Sequence, residues 1–145
     1  VTERREVPPS VLYRLVAGSR VVELLTALRS LRDDVVRRAA ELGRGIVPAP
    51  VHLAVFGSVA TGRAGSESDI DVLAVRPTKA DDDDAWAESL DRFRRDLSAY
   101  AGSGVEVLEV SQREWSKRDR GEPLWASIER EQIVLSSSAR RRAQS

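Results

Sequence analysis

Residues 53–75 read LAVFGSVATGRAGSESDIDVLAV. An apolar run ends in Gly57-Ser58, a short polar excursion follows, and a second apolar run carries Asp69 and Asp71. On a strand, residues i and i+2 share a face. Asp69 and Asp71 therefore present two carboxylates side by side, while Ile70 and Val72 point the other way. Such a pair repels itself and costs desolvation unless a positive charge sits between its members. Hard oxygen ligands at this spacing suit Mg²⁺, which takes one or two carboxylates plus substrate phosphates. The Gly57-Ser58 turn offers backbone N–H groups and a hydroxyl, as a polyphosphate requires. Glycine at 57 allows the backbone a close approach that a Cβ would block.

Composition narrows the alternatives. The chain has 145 residues, which fits one domain. Its 23 basic and 23 acidic side chains cancel, so no global field steers it towards nucleic acid. With no cysteine and one histidine, His52, thiolate and His-rich metal sites are excluded, as is a cysteine nucleophile. No apolar run of membrane-spanning length and no leader pattern occurs, so a cytoplasmic protein is the default. No G-x-x-x-x-G-K-[ST] sequence supports a P-loop.

The spacing predicts a helix from Ser19 to about Leu42, closed by Gly43 and Gly45, with one face packed through Val21, Leu24, Leu25, Leu28, Leu31, Val35 and Leu42. Residues 46–50 form a linker. Strands are expected at Val51–Phe56, Asp69–Val75, Val105–Val110 and Ile133–Leu135. Helices are expected from Asp81–Asp84 to about Tyr100, at Glu114–Arg120 and at Pro123–Glu131. Gly102-Ser103-Gly104 ends the first of these. The four aspartates Asp81–Asp84 read as a solvated cap at a helix N-terminus. Trp86, Trp115 and Trp125 fall in helices and read as packing residues, and His52 as a partly exposed structural histidine. Strands interleaved with helices give an α/β fold with a small mixed sheet. The organisation follows as residues 1–45, an N-terminal arm or hairpin and a long helix; 46–136, a catalytic domain; and 137–145, a disordered basic tail. Val1–Val7 and Val11–Val16, on either side of Pro8-Pro9, read as a wing-like hairpin or a structural arm.

Gly-Ser, ten residues, then Asp-x-Asp resembles the signature of the DNA polymerase beta-like nucleotidyltransferase superfamily, and the short chain looks most like its minimal members. The resemblance runs from about Val51 to Leu135. It implies a mixed sheet with helices on one face and the active site on the other. It also implies Mg²⁺, as two ions, held by Asp69, Asp71 and a third carboxylate from a later strand. Glu106 matches that third position better than Glu109, which alternation puts on the opposite face. Ser58 would bind the terminal phosphates, with Arg63 and Ser68 as further phosphate contacts. The implied reaction moves a nucleoside monophosphate from an NTP, ATP first, to an acceptor hydroxyl. The first acceptor is a partner protein, as for antitoxins of this type that modify a HEPN toxin. A small aminoglycoside-like acceptor is an alternative. So is a non-catalytic nucleotide-sensing or dimerising module of a DNA-binding regulator, with DNA held through an upstream winged-helix domain.

Overall fold

The structure is a computed structural model that describes residues 20–62 and 68–138. The expectations for the Val11–Val16 hairpin, for Arg63 and for the arginine-rich tail beyond Ser138 lie outside the described residues. The chain divides into two compact units, Val1–Asp34 and Val35–Ser145.

The described part opens with helix α1, Arg20–Gly43, which crosses the boundary between the units. The sequence expectation of one packed face holds only for its second half. Val35 and Ala39 are buried in the core and Leu42 packs against it, whereas Val21, Leu24, Leu25, Leu28 and Leu31 are exposed. Spacing predicts which residues share a face, not how far along the helix a partner layer reaches.

The second unit is built on a four-stranded sheet of order β3-β2-β1-β4. Strand β1 is His52–Phe56, β2 Ile70–Arg76, β3 Val105–Ser111 and β4 Ile133–Ser137. Strand β1 pairs antiparallel with β2 and β4, and β2 pairs parallel with β3. A parallel neighbour requires a crossover. Helix α3, Asp84–Ala101, supplies it. Ser136 and Ser137, expected at or beside the start of the tail, instead extend β4.

Alternation divides the sheet residues between two cores. On one face Leu53, Val55, Ile70, Val72 and Ala74 meet Trp86, Phe93 and Leu97 of α3 and the end of α1. Each such large side chain contributes ~1.5–3 kcal/mol by leaving water. On the other face Leu73, Val75 and Val110 meet Ile128 of helix α5, Pro123–Glu131, with Trp115 of helix α4, Gln112–Lys117, and Trp125 packed alongside. The second face thus has its own smaller core. His52 belongs to it. The histidine is buried, its ring stacks on Trp115 at 4.8 Å, and Nε2 lies 2.8 Å from Gln132 Oε1. It is structural, as read from sequence, but more enclosed than expected.

The helix ends have local causes. Asp83 caps α3 by accepting from the Ala85 N–H. The preceding aspartates lie outside that helix, after a short 3₁₀ turn at Thr78–Ala80. Helix α4 starts two residues earlier than expected because Ser111 and Glu114 form a reciprocal capping box.

Glu109 holds the crossover helix to the sheet. Its carboxylate accepts from Trp86 Nε1 and from Arg76 at 3.2 Å, and Arg76 also pairs with Asp81 at 3.1 Å. Glu109→Ala would leave a buried indole N–H without an acceptor, a cost of ~1–3 kcal/mol. Urea unfolding should show that loss, and Trp86→Phe in the same background should recover part of it.

Candidate active site

Strand β2 ends its polar excursion at Asp69 and enters the sheet at Ile70, whose N–H donates to Gly104 O at 2.9 Å. This bond ties the start of β2 to the start of β3. The parallel register then sets Asp71 directly against Glu106. The antiparallel register on the other side sets Asp71 against Phe56, the last residue of β1. Asp71 is half-buried, while Asp69 and Glu106 are exposed. Glu106 and Asp71 lie on the same face; Glu109 lies on the opposite one, against Trp86 and Arg76.

Two glycines make room for the carboxylates. Gly57 has φ +72°, and a Cβ built there would sit 2.5 Å from Asp71 Oδ2. A Cβ on Gly104 would sit 2.6 Å from Asp69 Oδ1. The sequence expectation gave Gly57 a close approach to phosphate rather than to Asp71, and gave Gly104 no such role. Gly104 read only as the end of a helix, although a glycine just before an apolar-acid-apolar strand was the available signal.

Gly57 and Ser58 do not form a simple turn. They open a five-residue helix α2, Gly57–Thr61, closed by Gly62 in the left-handed region. Ser58 is half-buried at its second position, and Ser68 is half-buried immediately before Asp69. The structure therefore brings Asp69 and Glu106 near enough to Asp71 to act on its charge, and sets Asp71 against Gly57, with Ser58 next in the chain.

Asp71 feels its neighbours. The Asp71 carboxyl is held above its ordinary value, first by burial, then by the charges of Glu106 and Asp69. All three causes penalise its ionised form. Among the described residues, no three acidic or histidine side chains are arranged tightly enough to ligate one ion as they stand. Mg²⁺ needs only one or two carboxylates when phosphates complete its shell. The donor set is all carboxylate oxygen, crowded and carrying excess negative charge, with glycine notches beside it. It fits a hard divalent cation.

The chain matches the model of the nucleotidyltransferase domain over residues 28–141. The match spans most of its length, and the chain belongs to that enzyme family. A protein from Sulfolobus solfataricus assigned as a nucleotidyltransferase superposes with a TM-score of 0.50 at 16% identity, covering 77% of this chain and 88% of that one. A structure described as a minimal nucleotidyltransferase gives 0.44 at 28% identity, covering 75% and 93%. A chain from a Shewanella oneidensis complex of a tri-AMPylated HEPN toxin with an MNT antitoxin gives 0.43 at 19%, covering 78% of each. No curated protein matches.

Two predictions arise from this geometry. Gly57→Ala should cost ~1–3 kcal/mol, because a side chain would be forced into the left-handed region and against Asp71. Gly104→Ala meets only the movable end of exposed Asp69. It should change stability by no more than ~0.5 kcal/mol, yet weaken Mg²⁺ binding measured by calorimetry.

A further prediction concerns pH. An acid whose folded pKa is raised keeps its proton in the folded state where the unfolded chain has released it. Stability then falls as pH rises through that window, and the full cost of ionising Asp71 is present above it. Asp71→Asn should raise the melting temperature of the metal-free protein at pH 7. The advantage should shrink as pH falls from the raised value towards the ordinary 3.8. Added Mg²⁺ should raise the melting temperature of the parent protein and leave Asp71→Asn unmoved.

Proposed function

We propose that this nucleotidyltransferase moves a nucleoside monophosphate from an NTP, ATP first, to a hydroxyl on a partner protein. The observation that supports the reading is Asp71, set against Gly57 and crowded by the charges of Glu106 and Asp69. Asp69 and Asp71 are the residues that would hold Mg²⁺, with Glu106 completing the set. Bound there, the ion would neutralise the triphosphate and stabilise the departing pyrophosphate. The half-buried Ser58 hydroxyl and the backbone N–H groups around it orient the terminal phosphates. Glu106 lies one strand away from Asp71 and is exposed, so it can meet an incoming acceptor and take its proton. The acceptor oxygen bonds to the α-phosphorus as the bond to the β-phosphate oxygen breaks, and pyrophosphate leaves. Positioning and charge neutralisation drive the step, with no protein nucleophile.

The openness of the site supports a protein acceptor. Asp69, just before β2, and Glu106, on the edge strand β3, are both exposed. Helices α4 and α5 pack on this face as far as Phe56, the residue set against Asp71, and Glu106 stays exposed on the β3 side. A small acceptor would meet few enclosing walls here, whereas a protein surface brings its own wall along with the hydroxyl.

Incubation with labelled ATP, Mg²⁺ and a cell lysate should label a protein. Asp69→Asn, Asp71→Asn and Glu106→Gln should each lower transfer by at least ~10²-fold while remaining folded by circular dichroism. Mass spectrometry of the labelled protein should find an added nucleoside monophosphate. Labelling of a small amino-hydroxyl compound with no labelled protein would replace the acceptor assignment. Full activity in Asp71→Asn would remove the assignment of the site.

A further inference from the structure

The first half of α1 leaves its apolar face in solvent. Val21 is 49% exposed, Leu24 62%, Leu25 39%, Leu28 58% and Leu31 54%. The steps 21, 24, 28 and 31 alternate three and four residues. That is the a/d seam of a coiled coil, flanked by Leu25. The series stops at Val35, which is buried in the core of the second unit. A seam of two heptads therefore lies within residues 20–34. Single exposed leucines are ordinary; a contiguous stripe of five is the signature of an interaction surface.

We propose that this stripe is the interface of a homodimer, in which α1 of two copies packs antiparallel about a two-fold axis. A two-fold interface uses one patch twice and must be complementary to itself. An a/d stripe meets that condition. Charge selects the direction. In the antiparallel arrangement Leu24 faces Leu28 of the second copy, Val21 faces Leu31, and Leu25 meets its own counterpart. Arg20 then flanks Asp34 of the second copy, and symmetry repeats the pair at the other end. Asp34 also has an interaction within its own chain; the pairing adds to the apolar seam rather than replacing it. A parallel arrangement would set Arg20 against Leu25 and Ala27 against Arg32, with no compensating charge. Two heptads make a small interface, so the dimer should dissociate on dilution.

Sedimentation equilibrium of the full chain, from about 1 to about 200 µM, spans the range in which such an interface would dissociate. The mass should rise with concentration from 16.0 kDa to twice that value. The double variant Leu24→Glu/Leu28→Glu should stay monomeric throughout, with an unchanged circular dichroism spectrum and melting temperature. The chain has no cysteine, so single cysteines report direction without background. A mixture of Val21→Cys and Leu31→Cys should form a mixed disulfide, and each variant alone should remain unlinked. A monomer at every concentration would overturn the proposal, whether residues 1–19 cover the stripe or a different protein does. Self-linking of either cysteine variant alone, a dimer with no mixed disulfide, or a dimer that survives the double glutamate substitution would overturn it as well.

Discussion

The parallel register between β2 and β3 is the constraint on which the site depends. It sets Asp71 against Glu106 and closes with the bond from Ile70 N–H to Gly104 O. A slip of one residue would turn Val72 and Ala74 out of one core and Leu73 and Val75 out of the other. Both cores therefore enforce the same alignment. The apolar residues of β2 lock the strand from two sides, and its acidic end inherits that rigidity. The cost is electrostatic. Burial and two neighbouring carboxylates all oppose ionisation of Asp71, and the fold retains this strain at the position where a cation and a phosphate would relieve it.

The two acids of β3 show how one strand serves two purposes. Glu106 and Glu109 are three residues apart and so face opposite layers. Glu109 is spent on Trp86 and Arg76, holding the crossover helix in place. Glu106 remains exposed beside Asp71. The aromatic residues are committed in a similar way. Trp86 is buried under the sheet, while Trp115 lies between His52 and Trp125, with the Arg118 guanidinium over its ring at 3.4 Å. Arg118 is in turn paired with Glu129 at 2.8 Å. This stack anchors α4 and α5 to the second face, where α5 also meets α2, while Glu106 stays exposed on the β3 side.

Membership of the nucleotidyltransferase family fits a chain in which so few residues carry the chemistry. In the proposed reaction the work asked of the protein is to hold three carboxylates and the Gly57-Ser58 segment in a fixed relation. Four strands and a crossover helix suffice for that. Exposed apolar side chains line the first half of α1 and also include Val47, Tyr100 and Leu124.

The sequence by itself determined the strands, because apolar runs bounded by glycine and proline have few other ways to satisfy their backbones. It placed Asp71 on one face of its strand, because a strand has period two, although Asp69 falls just before the strand begins. The same period separated Glu106 from Glu109. Tertiary structure alone decided which of those two acids would meet Asp71, since that depends on which strand lies beside β2 and in what direction. It also decided the purpose of Gly104, whose neighbour Asp69 is thirty-five residues away in the chain. For α1 the seven-residue pattern fixed the apolar stripe, but only the extent of the second unit's core decided that Val35 is buried while Leu31 is in solvent. Local spacing records which side chains travel together. The distance to which a packed layer extends is a property of the assembled chain, set where its apolar surface runs out.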